Sequence, residues 1–461
     1  MANKPLYVFV AVLFAAAVAY WGGTWLAFKA TTLGQMGEYP VFKATPALID
    51  RFDHTALIVM PDGFDAEAVA RAAGVEGVQN SQVRSMRRLH GALMKKLAEA
   101  GPRVVVFGIG FNTPAPEHDD YFIAGVEALA SKRIGVVTAL EVWTWKTPEW
   151  FTSTSKIISH PNVYASELIT ISAQPEDTHL ALPTFIVGMR RGDAETLVGG
   201  PLVAWALARR PGSGLRAELS YEEDFLELKW FDRDAQGRVM EQVQIRERIP
   251  TSFINKIRFL EAPDRAGQMN DDINAYRSIE APTMAQMQSA TITYQDAMTM
   301  DAATLASKLS GRIVVIGNDT ILPTGLPADS RTITRHGEVV PGSRLVASTI
   351  EGLCRGTYIN FISAYSAMLL TLACTVLGAV VAAKTARWKN SGVLAALMAL
   401  VVTGVLVTLF AVIICRLQGL IINPFVPALS GLFGGIVILP MVLQRRNRQR
   451  VIAESEIRRS S

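Results

Sequence analysis

The sequence predicts an exported α/β domain with a mostly parallel sheet, carried by a helical membrane part with one N-terminal and three C-terminal crossings. Three observations point there. Phe361–Ala383, Ser391–Cys415 and Phe425–Leu443 crowd the C-terminal end without a single charge. Leu6–Phe28, at the start, is a fourth such stretch. An apolar helix of about 20 residues spans the hydrocarbon core, at about 1.5 Å per residue. Between the first and second stretches lies a long block of globular composition in which β-branched runs alternate with helical patterns. Strands that read as continuous apolar runs belong to sheets covered by helices on both faces.

Basic residues of short loops stay on the cytoplasmic side. Lys4 precedes the first stretch, Lys384, Arg387 and Lys389 fill the loop after the second, and Arg445, Arg446, Arg448 and Arg450 follow the last. The opposite short loop offers only Arg416. Crossings at residues 6–28, 361–383, 391–415 and 420–443, with both termini inside, satisfy every loop and place residues 30–358 outside the cytoplasm. Ala17-Val18-Ala19 has the small-x-small spacing of a signal-peptidase site, which leaves a cleaved signal peptide open. Tyr20, Trp21 and Trp25 extend the stretch as an interfacial aromatic belt and favour an uncleaved anchor.

Within residues 30–358, Ala56–Met60 reads as a short strand. Val83–Ala100 carries Met86, Leu89, Leu93 and Leu97 at helical spacing, and Gly101-Pro102 stops it. Arg103–Phe107 and Ile134–Leu140 are strand-length β-branched runs, with a helix at Tyr121–Ala130 between them. Ala302–Leu309 reads as a helix leading into a buried strand at Arg312–Gly317. Residues 212–300 differ: Phe225–Phe231 and Val239–Ile245 flank a turn at Asp232–Gly237, and Asp264–Ser278 is polar. This zone reads as an inserted or peripheral layer.

Composition narrows the function. Half the residues are apolar, enough for an ordinary core. The three cysteines, Cys354, Cys374 and Cys415, exclude a disulfide framework in the exported domain. The net charge of +4 is largely the arginines after the last helix, and no basic, aromatic-interleaved patch suggests nucleic acid. There is no P-loop, His-Glu-x-x-His, Gly-x-Ser-x-Gly or kinase catalytic loop. Gly108-Ile109-Gly110 is a lone Gly-x-Gly, read as close packing or a turn. No catalytic residue and no cofactor is expected.

Met86-Arg87-Arg88-Leu89-His90-Gly91, followed by Leu93 and Leu97–Gly101, is similar to a Pro-Arg-x-x-His-Ala helix start. It runs into Val104–Phe111, similar to a strand with a VxFD ending. Pro114–Asp120 resembles a Pro-rich acidic loop ending in two aspartates, and Gly311–Gly317 looks like a GKIVLIG strand. Pro341–Ser348 stands where Pro-Gly-Val-Glu-Ile-His-Ala-Asn would be. The ordered set resembles the second type of CHASE domain, the cyclases/histidine kinases associated sensory extracellular modules of bacterial membrane receptors, which also continue into three membrane helices. The likeness covers most of residues 50–443 and is weakest over 212–285. It implies a sensory domain on the periplasmic side of a bacterial inner membrane. Gly108 replaces the strand-end Asp of that family, and Arg344 and Val346 replace its Glu and His.

Ligands of open α/β sheets bind at the strand C-terminal ends. Asp62, Arg87, His90, Asn112 and Asp319 are the lining candidates, each weighed against a turn or capping role. Arg87 and His90, three residues apart on one helical face, either hold an anionic ligand or pin the helix by hydrogen bonds. Glu117, His118, Asp119 and Asp120 are weak metal-ligand candidates. The competing reading, which we prefer, is that Asp119 or Asp120 caps the helix at Tyr121.

No acidic or basic residue lies inside the three C-terminal stretches, which argues against a transporter or channel. Gly431 and Gly435 form a small-x-x-x-small pair, for packing within the bundle or for a homodimer. Residues 444–461 form a cytoplasmic basic tail that reads as a short helix on an anionic membrane surface. That tail is too short for a cyclase or kinase domain. The expected function is therefore signal input: a periplasmic ligand or protein is sensed, and the output passes through the bundle to a separate cyclase or kinase partner. The alternatives are an envelope scaffold that binds no small molecule, and the sensor half of a cyclase or kinase.

Overall fold

The computed structural model describes residues 4–29, 49–111, 113–139, 155–166, 170–172, 183–191, 196–220, 225–234, 239–250, 255–258, 271–278, 283–319, 332–333, 339–357, 360–389, 391–418 and 420–460. They divide into a unit of residues 47–358 and one that combines residues 1–46 with 359–461. The helix that opens the chain, α1 (Lys4–Lys29), belongs to the second unit.

The larger unit begins with β1 (Thr55–Met60), α2 (Ala66–Ala72) and α3 (Met86–Ala100). It continues through β2 (Val104–Gly110), α4 (Pro116–Ser131), β3 (Gly135–Ala139), β4 (Val163–Ser166) and α5 (Gly200–Arg209). Then come β5 (Thr291–Thr293), α6 (Tyr294–Thr299), α7 (Ala302–Leu309), β6 (Ile313–Asn318) and α8 (Gly342–Arg355). Among the described residues, these strands form one sheet in the order β5-β1-β6-β2-β3-β4, every neighbouring pair parallel.

Alternation along the strands divides the core in two. Ile58, Val105, Phe107, Val136, Val314 and Ile316 face α2, α3, α4, α6 and α7. Leu57, Val59, Val104, Val106, Val137, Ile313 and Val315 face α5 and α8. The period of two along each strand makes both faces apolar, hence the unbroken runs in the sequence. The steps β1-to-β2, β2-to-β3 and β5-to-β6 move in one direction with helices on the first face. The return from β4 to β5 carries α5 on the other, as right-handed crossovers require.

Several boundaries move. Residues 83–85 form a tight 3-10 turn, and α3 starts at Met86. Gly101 ends α3 in the left-handed region at φ 71°, as a C-terminal glycine should. The helix expected at Tyr121 begins five residues earlier, at Pro116, with proline in its first turn. Leu140, in the third strand run, lies outside the described residues.

The middle of the chain is antiparallel, as a peripheral layer should be. Strands Gly214–Ser220, Phe225–Arg233 and Val239–Pro250 form one meander, and Trp230 from it is fully buried against α5, with Nε1 3.4 Å from Ala206 O. The turn residues 235–238 lie outside the described residues. Strands Thr170–Ser172, Pro183–Arg191, Thr196–Val198, Asn255–Arg258 and Asp271–Ser278 pair in a second antiparallel sheet.

In the other unit, three described helices are long and apolar enough to cross a membrane: α9 (Ala364–Lys389), α10 (Gly392–Gln418) and the apolar part of α11 (Phe425–Ser460). A shorter apolar stretch, Val10–Gly22, lies within α1 and buries Val12, Ala15, Ala16 and Ala19. The helix α1 packs on α9 and α11. Small residues set the spacing. A Cβ on Gly378 would stand 2.0 Å from Gly431 O, and one on Gly434 2.0 Å from Thr375 O. Gly431 also abuts Thr403, and Gly435 abuts Ala399 and Ala382, so the Gly431–Gly435 pair packs within the bundle. The expected separate tail helix is absent: α11 runs unbroken from the last apolar stretch to Ser460.

The crossing of α3 and α4 has the same character. A Cβ on Gly91 would lie 2.1 Å from Tyr121 O, and one on Gly125 would meet Gly91 O at 2.7 Å. Gly91→Ala should therefore destabilise the protein by about 1–3 kcal/mol, the usual cost of overpacking. A thermal melt of the intact chain, followed by tryptophan fluorescence, checks this; an unchanged midpoint would contradict the crossing.

Candidate functional site

The final helix of the larger unit, α8, touches buried polar groups at both edges of the sheet. Its first turn lies at the strand C-terminal ends, where ligands of open α/β sheets bind. Pro341 is the N-cap residue, and Gly342, Ser343 and Arg344 form the first turn. Close approach there needs glycine. A Cβ on Gly317, in β6, would stand 2.1 Å from Ser343 Cβ, and one on Gly108, in β2, would lie 3.4 Å from Ile316 O and 4.0 Å from Ser343 Cβ. These are ordinary contact distances for Gly108, so close packing requires glycine at 317 and not at 108.

Directly after β6, Asp319 is held by its own N–H, which donates to Met60 O at 2.9 Å. Its carboxylate receives the Arg344 guanidinium: Nε donates at 3.1 and 3.3 Å, and Nη2 donates to Oδ2. Both side chains are nearly buried, at 6% and 9% exposure. The third nitrogen, Nη1, is buried without a hydrogen-bond partner, and so is Ser343 Oγ. A buried polar group left unpaired costs about 1–3 kcal/mol, so a second acceptor beside this pair would be stabilising.

The far end of α8 holds the opposite edge. Glu351 is fully buried. Its Oε2 accepts from His54 N at 3.0 Å, Thr55 N at 2.9 Å and Thr55 Oγ1 at 2.8 Å. Its Oε1 accepts from Asp53 N at 3.0 Å and Arg355 Nε at 2.8 Å. Arg355 also donates to Arg51 O and Asp53 Oδ2, both at 2.8 Å. This clasp joins the first and last segments of the unit.

Of the sequence candidates, only Asp319 lies in the first-turn cluster of α8. Asp62 is an exposed turn residue whose Oδ1 accepts from Gly63 N at 3.1 Å. Asn112 lies outside the described residues. Arg87 pins the helix: Nη1 pairs with buried Asp119, and Nη2 donates to Thr113 O at 2.6 Å. Buried His90 sits 2.8 Å from Tyr294 Oη through Nδ1, ringed edge-on by Phe107, Phe111 and Phe122. Burial pushes its imidazole down to about 3, with Arg87 adding to the effect.

The expected capping of a helix at Tyr121 by Asp119 or Asp120 is corrected. Asp119 lies inside the earlier-starting α4, where Oδ2 accepts from Ala115 N at 3.0 Å, while Asp120 is exposed, 3.6 Å from Lys156 Nζ. His118 Nδ1 accepts from Arg88 Nε at 3.0 Å, and Glu117 offers Arg88 its backbone carbonyl. Among the described residues no group of three or more such side chains could hold a metal. An open cleft of about 520 Å³ runs past them, lined by Gln82, Val83, Arg84 and Pro114–His118.

Sequence reasoning missed Ser343, Arg344 and Glu351 as site residues. Glu351 had a signal: a lone carboxylate beside Ile350 and Leu353 on an apolar helical face. No local pattern connects Arg344 to Asp319. No protein-family model, curated protein or solved structure matches the chain.

His90 yields a pH prediction. Its folded pKa of about 3 lies below the ordinary 6.5, so the unfolded chain binds the extra proton between these values. The stability from neutral His90 is present above pH 6.5 and is lost as pH falls towards 3, by up to about 1.4 kcal/mol per pH unit. Melts of the intact chain from pH 7 to 4 should show a shallower acid loss in His90→Gln than in wild type. Parallel profiles would contradict the buried, neutral assignment.

Proposed function

We propose that the chain is a membrane-anchored signal-input protein whose α/β unit lies on the extracytoplasmic side of a bacterial inner membrane. The observation that carries this reading is the placement of α8. Its first turn lies at the ligand-binding edge of the sheet, and its last turn clasps the segments that lead to the membrane helices on either side. A change at Arg344 is therefore one rigid helix away from both connections, a distance of about 10 Å from residue 344 to residue 351 at 1.5 Å per residue.

Other features agree. The basic residues flanking the apolar helices favour a cytoplasmic tail, with α1 as a fourth crossing. The buried small face of α1 favours a retained anchor over a cleaved leader. The ordered motifs resembling a CHASE domain of the second type point to sensing. Extension of α11 beyond the apolar stretch gives the bundle a polar helical arm for a separate output partner, such as a cyclase or kinase.

One observation favours a second reading, an envelope scaffold. Val346, at the position of the family's His, is buried in the core, and Gly108, at that of its Asp, offers no side chain. A ligand site built as in that family is thereby reduced.

Sidedness is tested by cysteine labelling. Exposed Val83→Cys should react with a membrane-impermeant maleimide in intact spheroplasts, and Ser455→Cys only after lysis. Background is low, because burial pushes the Cys354 thiol up to about 12, and Cys374 and Cys415 are buried. Labelling of Ser455→Cys from outside, with Val83→Cys protected, would overturn the reading.

A further inference from the structure

Resting on the signal-input reading, we infer that the first turn of α8 binds a small, singly charged carboxylate. Two buried donors of that turn have no hydrogen-bond partner among the described residues. Arg344 is 5% exposed and spends Nε and Nη2 on Asp319, leaving Nη1 unpaired; Ser343, also 5% exposed, leaves its hydroxyl unpaired. Both belong to the first turn of a 14-residue helix, where backbone N–H groups add a positive partial charge. Gly317 and Gly108 remove the side chains that would otherwise fill this edge.

The chemistry selects the ligand class. A guanidinium N–H and a hydroxyl from consecutive residues match the two oxygens of a carboxylate, one bond to each. Charge sets the valence. Asp319 already neutralises Arg344, so the helix end alone carries surplus positive charge. A monoanion matches that surplus, whereas a dianion places a second charge against Asp319.

The test uses the full chain in non-ionic detergent, with sodium acetate as probe in a chloride background of constant ionic strength. Saturation-transfer NMR should show the acetate methyl signal in wild type. Its apparent affinity should fall at least tenfold in Ser343→Ala and in Arg344→Lys, which keeps the charge beside Asp319 but lacks the planar fork that holds Nη1 apart from the Asp319 carboxylate. Circular dichroism and the melting midpoint of Ser343→Ala verify its fold. Absence of transfer in wild type, transfer in either variant with wild-type affinity, or tighter binding of inorganic phosphate than of acetate at pH 8 would each overturn the inference. The assay is blind to sidedness. Failed acetate binding with outward labelling at residue 83 removes the ligand class alone. Acetate binding with inward labelling removes the signal-input reading and leaves the site.

Discussion

The structure of the larger unit depends on one buried carboxylate. Glu351 takes hydrogen bonds from three consecutive backbone amides, one hydroxyl and one guanidinium, and so fixes where β1 begins. Hydrogen bonds to a charged group contribute about 1.5–3 kcal/mol each, and losing the acceptor would strand its buried donors. Strand β1, the helix α8 and both ends of the unit meet at this point. Arg355 extends the hold to Arg51 and Asp53. A chain that enters and leaves a domain through one clasp transmits strain between its two connections.

From that anchor, α8 runs along the sheet with its apolar face, Val346, Ala347, Ile350 and Leu353, in the core. Packing of this density moves as a body and does not deform continuously. The Asp319–Arg344 pair at one end and the Glu351–Arg355 pair at the other are therefore mechanically joined. The glycine at 317 matters for the same reason, since a methyl there would push the first turn off the sheet edge.

Much of this was legible in the sequence. The apolar runs gave four of the six parallel strands, β1, β2, β3 and β6, to within a few residues, because burial on both faces leaves an unbroken signal; the short edge strands Val163–Ser166 and Thr291–Thr293 went unread. Gly101 marked a helix end through its left-handed conformation. Errors arose where tertiary contacts decide. Asp119 and Asp120 looked like caps because carboxylates favour helix starts, but Pro116 starts α4 and Asp119 turns inward to Arg87. Arg87 and His90 left two readings open, an anionic ligand or a helix pinned by hydrogen bonds, and the buried partners of both show the pinning. Arg344 read as the loss of a family residue, since its partner is 25 positions away across a strand end. The arm of α11 was read as a separate helix because the composition changes after Leu443, although the backbone does not.

Hydrogen exchange of the intact chain tests the central claim, that α8 couples the two polar clusters. In Asp319→Asn, which weakens the pair at the first turn, amides of Asp53, His54 and Thr55 at the far edge should exchange faster than in wild type. A change confined to residues 313–319 and 342–346, with 53–55 as protected as before, would show that the clasp does not respond to the site.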